Sequence, residues 1–452
     1  MTQKRCILPP SCRGVANLKS TPMMDLQQKK AEYPEYNPRD CPDGLIDISS
    51  ATNILMLQEY KSWVDEHSVQ LLDDLKSSAD YGPSAGSAEL RDAIAGLANR
   101  HFHPARSVDP ASIIVGNGVA SLLSTLTFSL CDAGEGIMLE TPNYGMFESD
   151  VTYRNALHLE FVPTDHIPDR FSARGAQSLV RSYEKSLVAA TKSGIKIRAV
   201  LICNPCNPVG RCYSRETVLA LAEFSSRHGL HFVSDEIYAL SAGLTTLNAD
   251  SFTSVLTLPE MGGFEPRNVH VLSGAAKDFG LGGLRLGWLI TRNELVWKAV
   301  RRLAPTTWVT SSSDRIFTRL LSNSTFIDDY LVKLREKLGE FRKDAIEALQ
   351  IMGVPYEKGN AGLFLWIDLR KWLPGQSEEI TNKLHNDVTG GSYNAAMQLG
   401  AYLMKNGVFL QPDIAFLTQG TGRFRLVYSG NSQEVFNLGM SRLKLALQGL
   451  SK

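Results

Sequence analysis

Apolar stretches of strand length alternate with stretches of helical pattern through the first two thirds of this 452-residue chain. Strands that alternate with helices form a mostly parallel sheet with right-handed crossover connections. The sequence therefore predicts an α/β fold in which helices flank a mostly parallel central sheet. The predicted strands are 112–115, 136–140, 198–203, 231–234, 269–272 and 286–290, and the predicted helices include 119–130, 174–192 and 214–228.

The pattern changes after about residue 325. Here we predict a long helix at 326–351, a strand at 363–369, a helix at 393–406 and a strand at 423–428. We interpret this part as a second, smaller α/β domain that the N-terminal segment completes. A chain of this length with 43% hydrophobic residues can build two or three domains. The predicted division is an N-terminal segment at 1–55, a large domain at 56–325 and a small domain at 326–452.

The charge balance and the sequence of the N-terminus indicate which classes of binding partner to expect. The 47 Lys and Arg residues match 47 Asp and Glu residues, so nothing in the charge points to nucleic acid or to acidic membranes. The first ten residues lack the apolar core of a secretory signal, and no segment approaches the length of a membrane span. We therefore expect a cytoplasmic protein without nucleic-acid or membrane partners. Residues 1 to about 40 are expected to be loose or wrapped on a partner subunit.

The seven cysteines are scattered, except that Cys203 and Cys206 form a CxxC pair with Cys212 nearby. A zinc site needs a second pair of ligands at a suitable spacing, which the sequence does not offer. A redox pair is the alternative, but a proline-locked loop already accounts for this stretch. We expect reduced thiols and no bound metal.

The run SGAAKDFGLGGLRLGW at residues 273–288 follows a predicted strand and contains Lys277 and Arg285. A lysine in a poorly solvated, glycine-rich turn loses its proton more easily than a surface lysine does, and the neutral amine can form a Schiff base with an aldehyde. Arg285 offers a planar fork for a phosphate. Aldehyde and phosphate together describe pyridoxal phosphate. The alternative is a turn that carries a solvated lysine.

Two further strand ends carry polar residues that suit this cofactor. The segment NPCNPVG at 204–210 is a rigid turn whose Asn207 can hold a polar group of a ligand. A later apolar strand runs into Asp235, with Tyr238 three residues on. A carboxylate facing a pyridine nitrogen keeps that nitrogen protonated, and a tyrosine hydroxyl can face the ring oxygen. Alone, Asp235 could be a helix cap and Tyr238 a packing residue.

The order and spacing of Asn207, Asp235, Tyr238, Lys277 and Arg285 resemble the fold type I pyridoxal-phosphate enzymes of the class I/II aminotransferase superfamily. The resemblance covers roughly residues 40 to 445. Within that superfamily the chain is most similar to the branch that resembles 1-aminocyclopropane-1-carboxylate synthase. The segments that carry this similarity are Asn37-Pro38, 44–53, 277–285 and 423–428.

The resemblance implies further contacts to the cofactor phosphate. Tyr81 matches a tyrosine that reaches the phosphate across a dimer interface, which implies a homodimer with its active site at that interface. The alternative is a turn before a helix. Val119 and Ala120 match the backbone amides of a phosphate cup at a helix start. The family usually has a serine three residues before the lysine, where this chain has Gly274, so Ser273 is the nearest candidate for that contact.

The resemblance also implies residues for the ring and the substrate. Tyr144 matches the aromatic residue that stacks on the pyridine ring, and Arg425 matches the arginine that binds the substrate α-carboxylate beside Asn207. The alternative for Arg425 is a charge on a strand surface. Family members that bind dicarboxylates carry a second arginine, and a loose alignment places Ala304 or a neighbour there, with Trp308 as a candidate pocket residue.

These matches imply an enzyme that acts on an α-amino acid, with Lys277, Tyr238 and Asp235 as catalytic residues. An aminotransferase is favoured, and a carbon–sulfur β-lyase of secondary metabolism is the alternative. The cyclopropane-forming synthases carry a glutamate where this chain has Thr52, which disfavours that synthase and γ-substitution on S-adenosylmethionine. A cofactor-binding regulator needs an added DNA-binding domain, for which the sequence before residue 40 has no room. An inactive paralogue is expected to lose Lys277, Asp235 or Arg425, and all three are present.

Overall fold

The computed structural model describes residues 11, 15, 17–72, 80–244, 252–259, 263–378, 380, 381, 384 and 394–450. Its strands are β1 (Ile46–Asp47), β2 (Ile113–Gly116), β3 (Gly136–Glu140), β4 (His158–Val162), β5 (Ile197–Cys203), β6 (His231–Asp235), β7 (Val269–Gly274), β8 (Gly287–Thr291), β9 (Phe364–Asp368), β10 (Val408–Phe409), β11 (Gln411–Pro412) and β12 (Arg423–Val427). Its α-helices are α1 (Pro22–Lys30), α2 (Leu57–Leu72), α3 (Ala88–Phe102), α4 (Val119–Leu130), α5 (Phe147–Asn155), α6 (Ala176–Lys192), α7 (Arg215–Arg227), α8 (Glu294–Leu303), α9 (Ser311–Ser322), α10 (Ser324–Met352), α11 (Ala395–Lys405) and α12 (Gln433–Leu450).

The central sheet has seven strands in the order β2-β8-β7-β6-β5-β3-β4. Strand β8 pairs antiparallel with both β2 and β7, and the other pairs are parallel. All residues of β2, β3 and β8 are buried, as expected for a sheet that is covered on both faces. The predicted α/β fold with a mostly parallel central sheet is therefore confirmed.

Several helices begin at residues whose side chains accept hydrogen bonds from free backbone amides. Ser87 accepts from the Leu90 amide at the start of α3, and Ser214 accepts from the Thr217 amide at the start of α7. Helix α10 begins after Asn323, which caps it. Such caps satisfy amides that have no partner inside the helix. The observed bounds differ from the predicted ones by at most two residues.

Strand β4 is a strand that the sequence pattern did not predict. It lies at the edge of the central sheet and pairs with β3 alone. His158 and Phe161 are exposed along it, while Leu159 and Val162 are buried. Edge strands of this kind lack the continuous apolar run on which the prediction of the inner strands depended.

A second sheet lies in the C-terminal part, with β12 between β11 and β9 and all pairs antiparallel. In the N-terminal segment, Ile46 of β1 pairs with Val408 of β10. The segment before residue 55 therefore contacts the C-terminal part of the chain. The exact domain boundaries after residues 55 and 325 stay predictions. No helix in the described part of the chain is long and apolar enough to cross a membrane.

A buried ion pair supports the carboxyl end of β3. Glu140 is fully buried, and its carboxylate lies 3.1 Å from Nε of Arg170. The Tyr213 hydroxyl donates to the same carboxylate. Burial raises the pKa of Glu140, and the Arg170 cation opposes that shift. A buried carboxylate without its cation is costly, so this pair constrains the loop that carries Arg170.

Replacement of Arg170 by Leu is expected to lower the free energy of unfolding by roughly 3–5 kcal/mol, because Glu140 would stay buried without a cation. Urea denaturation measures this change. The matched control is Arg267→Leu, since Arg267 is 70% exposed and pairs with Glu265 on the surface. The control is expected to unfold like the parent protein. Equal effects of both substitutions would show that the buried pair has no special role.

Candidate active site

The carboxyl ends of the parallel strands meet at one edge of the central sheet, and a cavity of about 170 Å³ lies there. Such edges are where open α/β sheets bind ligands. The residues that line the cavity are Gly118, Val119, Ala120, Tyr144, Phe147, Asp150, Cys203, Asn207, Asp235, Ile237, Tyr238, Ala276, Lys277, Arg285 and Leu286. Eight of the predicted site residues are therefore brought together.

Lys277 lies in the turn after β7, where its amine faces the cavity and donates to the Ala51 carbonyl at 2.8 Å. The Asn53 side-chain amide donates to the Lys277 carbonyl at 3.4 Å, so the N-terminal segment holds this turn in place. Burial lowers the pKa of Lys277 to about 8, with help from the Arg425 and Arg285 cations and against the attraction of Asp235. The neutral amine is therefore accessible near physiological pH.

Asp235 is the last residue of β6 and is 4% exposed. Its carboxylate accepts one hydrogen bond, from the Ile237 amide at 3.2 Å. Burial raises the pKa of Asp235 to about 7, the nearby Asp150 adds to that shift, and the Ile237 hydrogen bond and Lys277 oppose it. A buried carboxylate of this kind is suited to a cationic ligand group, which would stabilise its ionised form.

Two tyrosines form part of the cavity wall. The Tyr238 ring meets Phe364 edge to face at 5.3 Å, and the Tyr144 ring meets Phe147 in the same way at 5.3 Å. Burial raises the pKa of Tyr144 to about 12 and the pKa of Tyr238 further. Neither hydroxyl bonds to another described residue. Both therefore stay protonated and can donate to a ligand.

Arg425 of β12 is 4% exposed and extends from the small sheet toward the cavity wall. Its Nη1 donates to Asn207 Oδ1 at 2.9 Å, and its Nη2 donates to the Ser49 carbonyl at 2.7 Å and to Gln411 Oε1 at 2.9 Å. Its Nε has no partner, and no carboxylate pairs with it in the described part of the chain. Arg425 does not itself line the cavity, but Asn207 connects the two.

The start of helix α4 forms a second charged feature of the cavity. No side chain caps this helix, so its first amides, including those of Val119 and Ala120, are open to a ligand. The Arg285 guanidinium lies beside them, and a Cβ atom on Gly118 would lie 2.7 Å from its Nη2. Gly118 also has φ +115°, which side chains rarely allow. The open amides and the dipole of α4, together with the Arg285 guanidinium, suit a phosphate.

The residues fit pyridoxal phosphate at each of its polar ends. Arg285 and the amides at the start of α4 suit the phosphate, and Asp235 suits the ring nitrogen. Lys277 suits the aldehyde, since its amine is half-buried and easily neutral. The orphaned Nε of Arg425 suits a carboxylate. The close approach of Arg285 to Gly118 forms a cradle that any side chain at 118 would fill.

Three predicted site residues lie outside the cavity. The Ser273 hydroxyl donates to the Glu236 carbonyl at 3.4 Å, so the structure does not direct it toward the cavity. Tyr81 is 92% exposed and contacts Trp308 at 5.5 Å between ring centroids. Arg425 is the third, as described above. Ala304 is fully buried and does not line the cavity of its own chain, and its alignment with the second arginine of dicarboxylate-binding enzymes stays a prediction.

Sequence reasoning missed residues that the structure brings to this site. Asp150, on helix α5, lines the cavity, and Gln411 binds Arg425 from the neighbouring strand. Phe364 and Phe416 pack against the Arg425 guanidinium, at 5.3 and 4.8 Å. The alternation of apolar and polar residues along the last strands carried a weak signal for these neighbours. For Asp150, only its helical spacing from Phe147 could have indicated the cavity.

The CxxC pair is part of the fold around the cavity. Cys203 and Cys206 are buried and not joined by a disulfide. The Cys203 thiol donates to the Pro205 carbonyl at 3.3 Å. Burial raises the pKa of both thiols, so neither is a reactive thiolate.

The comparisons with known proteins agree with this geometry. The family model "Aminotransferase class I and II" matches residues 51–442. The human 1-aminocyclopropane-1-carboxylate synthase-like protein 1 is 30% identical over 420 residues, which are 92% of this chain and 79% of that protein. The 1-aminocyclopropane-1-carboxylate synthase 6 of rice is 27% identical over 437 residues, with the same two coverages of 92% and 79%.

Solved structures show the same fold. The aspartate aminotransferase of Thermus thermophilus, in a structure with maleate, superposes with a TM-score of 0.73 over 97% of this chain and 100% of that chain, at 20% identity. The match to the family model covers most of the chain and includes every strand of the central sheet. The chain therefore belongs to the class I and II aminotransferase family of fold type I enzymes, which depend on pyridoxal phosphate and act on amino acids.

Proposed function

We propose that this protein is an aminotransferase that removes the amino group of an α-amino acid whose carboxylate is bound by Arg425. The observation that carries the proposal is the buried, unpaired Arg425 guanidinium, which is hydrogen-bonded to Asn207 at the wall of the Lys277 cavity. A planar guanidinium binds a carboxylate through two parallel hydrogen bonds. Because Arg425 is desolvated, its attraction for such an anion is strong.

Seven residues are proposed to hold the cofactor besides Lys277. Arg285 and the Val119 and Ala120 amides bind the phosphate, and Tyr144 packs on one face of the ring. The Asp235 carboxylate faces the ring nitrogen. The Tyr238 hydroxyl and the Asn207 amide orient the ring oxygen. The raised pKa of Tyr238 keeps that hydroxyl as a donor at all physiological pH values.

Bound pyridoxal phosphate supplies an electron sink for the pair left when a proton leaves the α-carbon. Lys277 is the base that takes that proton, because its pKa of about 8 lets the amine both accept and return a proton near neutral pH. Asp235 stabilises the positive charge at the ring nitrogen. Arg425 fixes the carboxylate, so the α-proton is held toward the amine.

The carbon–sulfur β-lyase remains the alternative, because the same residues serve both reactions up to the loss of the α-proton. The synthase reaction is not proposed, although relatives carry that name. Thr52 is exposed, and its hydroxyl donates to the Ser50 carbonyl at 3.3 Å. It therefore offers no charge to the cationic sulfur of S-adenosylmethionine.

We also propose a homodimer. Tyr81 is 92% exposed and does not line the cavity of its own chain. A tyrosine that matches the phosphate-binding residue of the family therefore serves the cavity of a second copy. The exposed Leu57 and Val64 of helix α2 add apolar surface that a partner would cover.

Mixing the loaded enzyme with single amino acids, including S-substituted cysteines, tests the proposed reaction when no keto acid is present. An aminotransferase is expected to convert the cofactor stoichiometrically to pyridoxamine phosphate and the amino acid to one equivalent of its keto acid, without free ammonia. Absorbance and an ammonia assay measure both. Repeated release of ammonia, with the cofactor returned to its starting form, would instead identify the β-lyase.

The control for the role of Arg425 compares each amino acid with the amine that lacks its carboxylate. The parent enzyme is expected to prefer the amino acid, and Arg425→Leu is expected to lose roughly 2–5 kcal/mol of that preference. An unchanged preference would contradict the proposal that Arg425 binds the carboxylate. It would not affect the assignment of the reaction type, which depends on the products.

Replacement of Gly118 by Ala is expected to weaken binding of pyridoxal phosphate to the apoprotein by about tenfold, or roughly 1.4 kcal/mol. The added methyl group would displace the Arg285 guanidinium, which lies 2.7 Å from the new Cβ. Equilibrium titration measures the affinity. The control is Gly134→Ala, where φ is +85° and nothing lies within 4 Å of the new Cβ. Equal losses in both variants would show that backbone strain alone is responsible.

Reductive methylation of the apoprotein over a pH series is expected to modify Lys277 with a midpoint near pH 8. Its pKa is lowered to about 8, so the reactive neutral amine dominates above that pH. An ordinary lysine, with a pKa of about 10.4, is under 1% neutral at the same pH. Peptide mass spectrometry follows Lys277 and the exposed Lys358 in one sample. Parallel pH profiles for the two lysines would refute the shift.

A further inference from the structure

Asp150 is a second carboxylate of the cavity that the roles above do not use. Helix α5 begins at Phe147, directly after the segment that carries Tyr144, and Asp150 lies three residues into it. Residues three apart share a helix face, and both Phe147 and Asp150 line the cavity. Asp150 therefore points to the space that also contains Asp235 and Lys277.

The Asp150 carboxylate belongs to a partly buried residue and differs from the fully buried acids of this region. Glu236 accepts a hydrogen bond from the Val255 amide at 2.9 Å, and Asp278 accepts one from the Leu240 amide at 2.7 Å. Asp150 makes no side-chain hydrogen bond or ion pair to any residue that the structure describes. Burial alone raises its pKa to about 7. A desolvated carboxylate without partners is costly, which points to a cation that binds there.

The charged and titratable groups around Asp150 indicate which cation binds there. The charged and titratable groups that share its cavity are Tyr144, Cys203, Asp235, Tyr238, Lys277 and Arg285. Asp150 raises the pKa of Asp235 and of Tyr144, so its charge is felt at the ring-nitrogen end of the proposed cofactor site. Two carboxylates that repel each other are both stabilised when one positive charge binds near them. A protonated pyridine nitrogen supplies that charge.

We propose that Asp150 is a positioning residue for the cofactor's ring nitrogen, where its negative charge acts with Asp235 to hold that nitrogen protonated. This inference rests on the proposed placement of the ring nitrogen at Asp235. Asp150 acts through the electric field, and Asp235 makes the direct contact. The second charge makes loss of the ring proton harder, which preserves the electron sink at higher pH.

The test compares binding of pyridoxal phosphate with binding of its analogue in which C–H replaces the ring nitrogen. Titrations of the apoprotein give a ratio of affinities that reports on the nitrogen alone. Asp150→Asn keeps the shape of the side chain and removes its charge. It is expected to lower the preference for pyridoxal phosphate roughly three- to thirtyfold and to leave the affinity for the analogue unchanged.

The control is Glu148→Gln, a charge removal on the same helix at a residue that does not line the cavity. It is expected to leave the ratio unchanged. Asp235→Asn is expected to lower the ratio further than Asp150→Asn does. A ratio that falls in Asp235→Asn alone would overturn the role of Asp150 and leave the placement of the ring intact. A ratio unchanged in both variants would overturn the placement itself.

A spectroscopic measurement separates an electrostatic role from a merely structural one. The ¹⁵N chemical shift of ring-labelled pyridoxal phosphate, bound to the protein, reports whether its nitrogen is protonated. Removal of the Asp150 charge is expected to lower the pH at which that proton is lost. Equal weakening of both cofactor forms, with an unchanged nitrogen titration, would show that Asp150 only shapes the cavity and would refute the proposal.

Discussion

Burial of the Arg425 cation is the constraint on which the arrangement of this site depends. Its guanidinium is held by the Ser49 carbonyl, the Asn207 side chain and the Gln411 side chain, which come from three distant parts of the chain. The N-terminal segment, the loop after β5 and the small sheet are thus fixed relative to one another by a single desolvated charge. Because these partners are neutral, the charge itself remains available to an anion. The same contacts therefore build the cleft and prepare it for a carboxylate.

Desolvation favours the neutral forms of Lys277, Asp235 and Asp150 around the cavity. It lowers the pKa of Lys277 to about 8 and raises the pKa of Asp235 and of Asp150 to about 7. Each group is therefore close to its titration point at physiological pH, where a small change in the local charge decides its state. A ligand with a cationic ring nitrogen would lower the raised pKa values of Asp235 and Asp150. Its anionic phosphate lies at the opposite end, so each end of the ligand acts on different groups. The charged groups of the cavity are thus stabilised more by a ligand that carries both a positive and a negative charge than by water.

The sequence predicted the residues that follow parallel strands, because chain direction alone places their carboxyl ends at one edge. Asn207, Asp235 and Lys277 could be assigned in this way. Ser273 could not, since neighbouring residues of a strand face opposite sides and a shift of one residue redirects a side chain. Asp150 was missed because a single acid in a helix has the pattern of a solvated face. Strand β4 was missed because its partly exposed edge position removes the apolar run. These failures share one cause, which is that burial depends on neighbours far away in the chain.

The glycine at position 274 shows how one departure from the family pattern is compensated in space. A Cβ atom there would lie 2.8 Å from the Leu286 carbonyl and 3.2 Å from a methyl group of Val119. The room for a serine side chain is therefore taken by β8 and by the first residue of α4. Because Gly274 has no side chain, the start of α4 can lie close to β7 and β8. Gly287 pairs with Gly274 across the two strands, and a Cβ atom on Gly287 would lie 2.7 Å from the Val119 amide nitrogen. Position 274 thus lacks a hydroxyl for the phosphate, and it allows closer packing of α4, whose open amides are proposed to bind that phosphate. On this argument the phosphate depends more on the backbone of α4 and on Arg285 than it would in a chain with serine at 274.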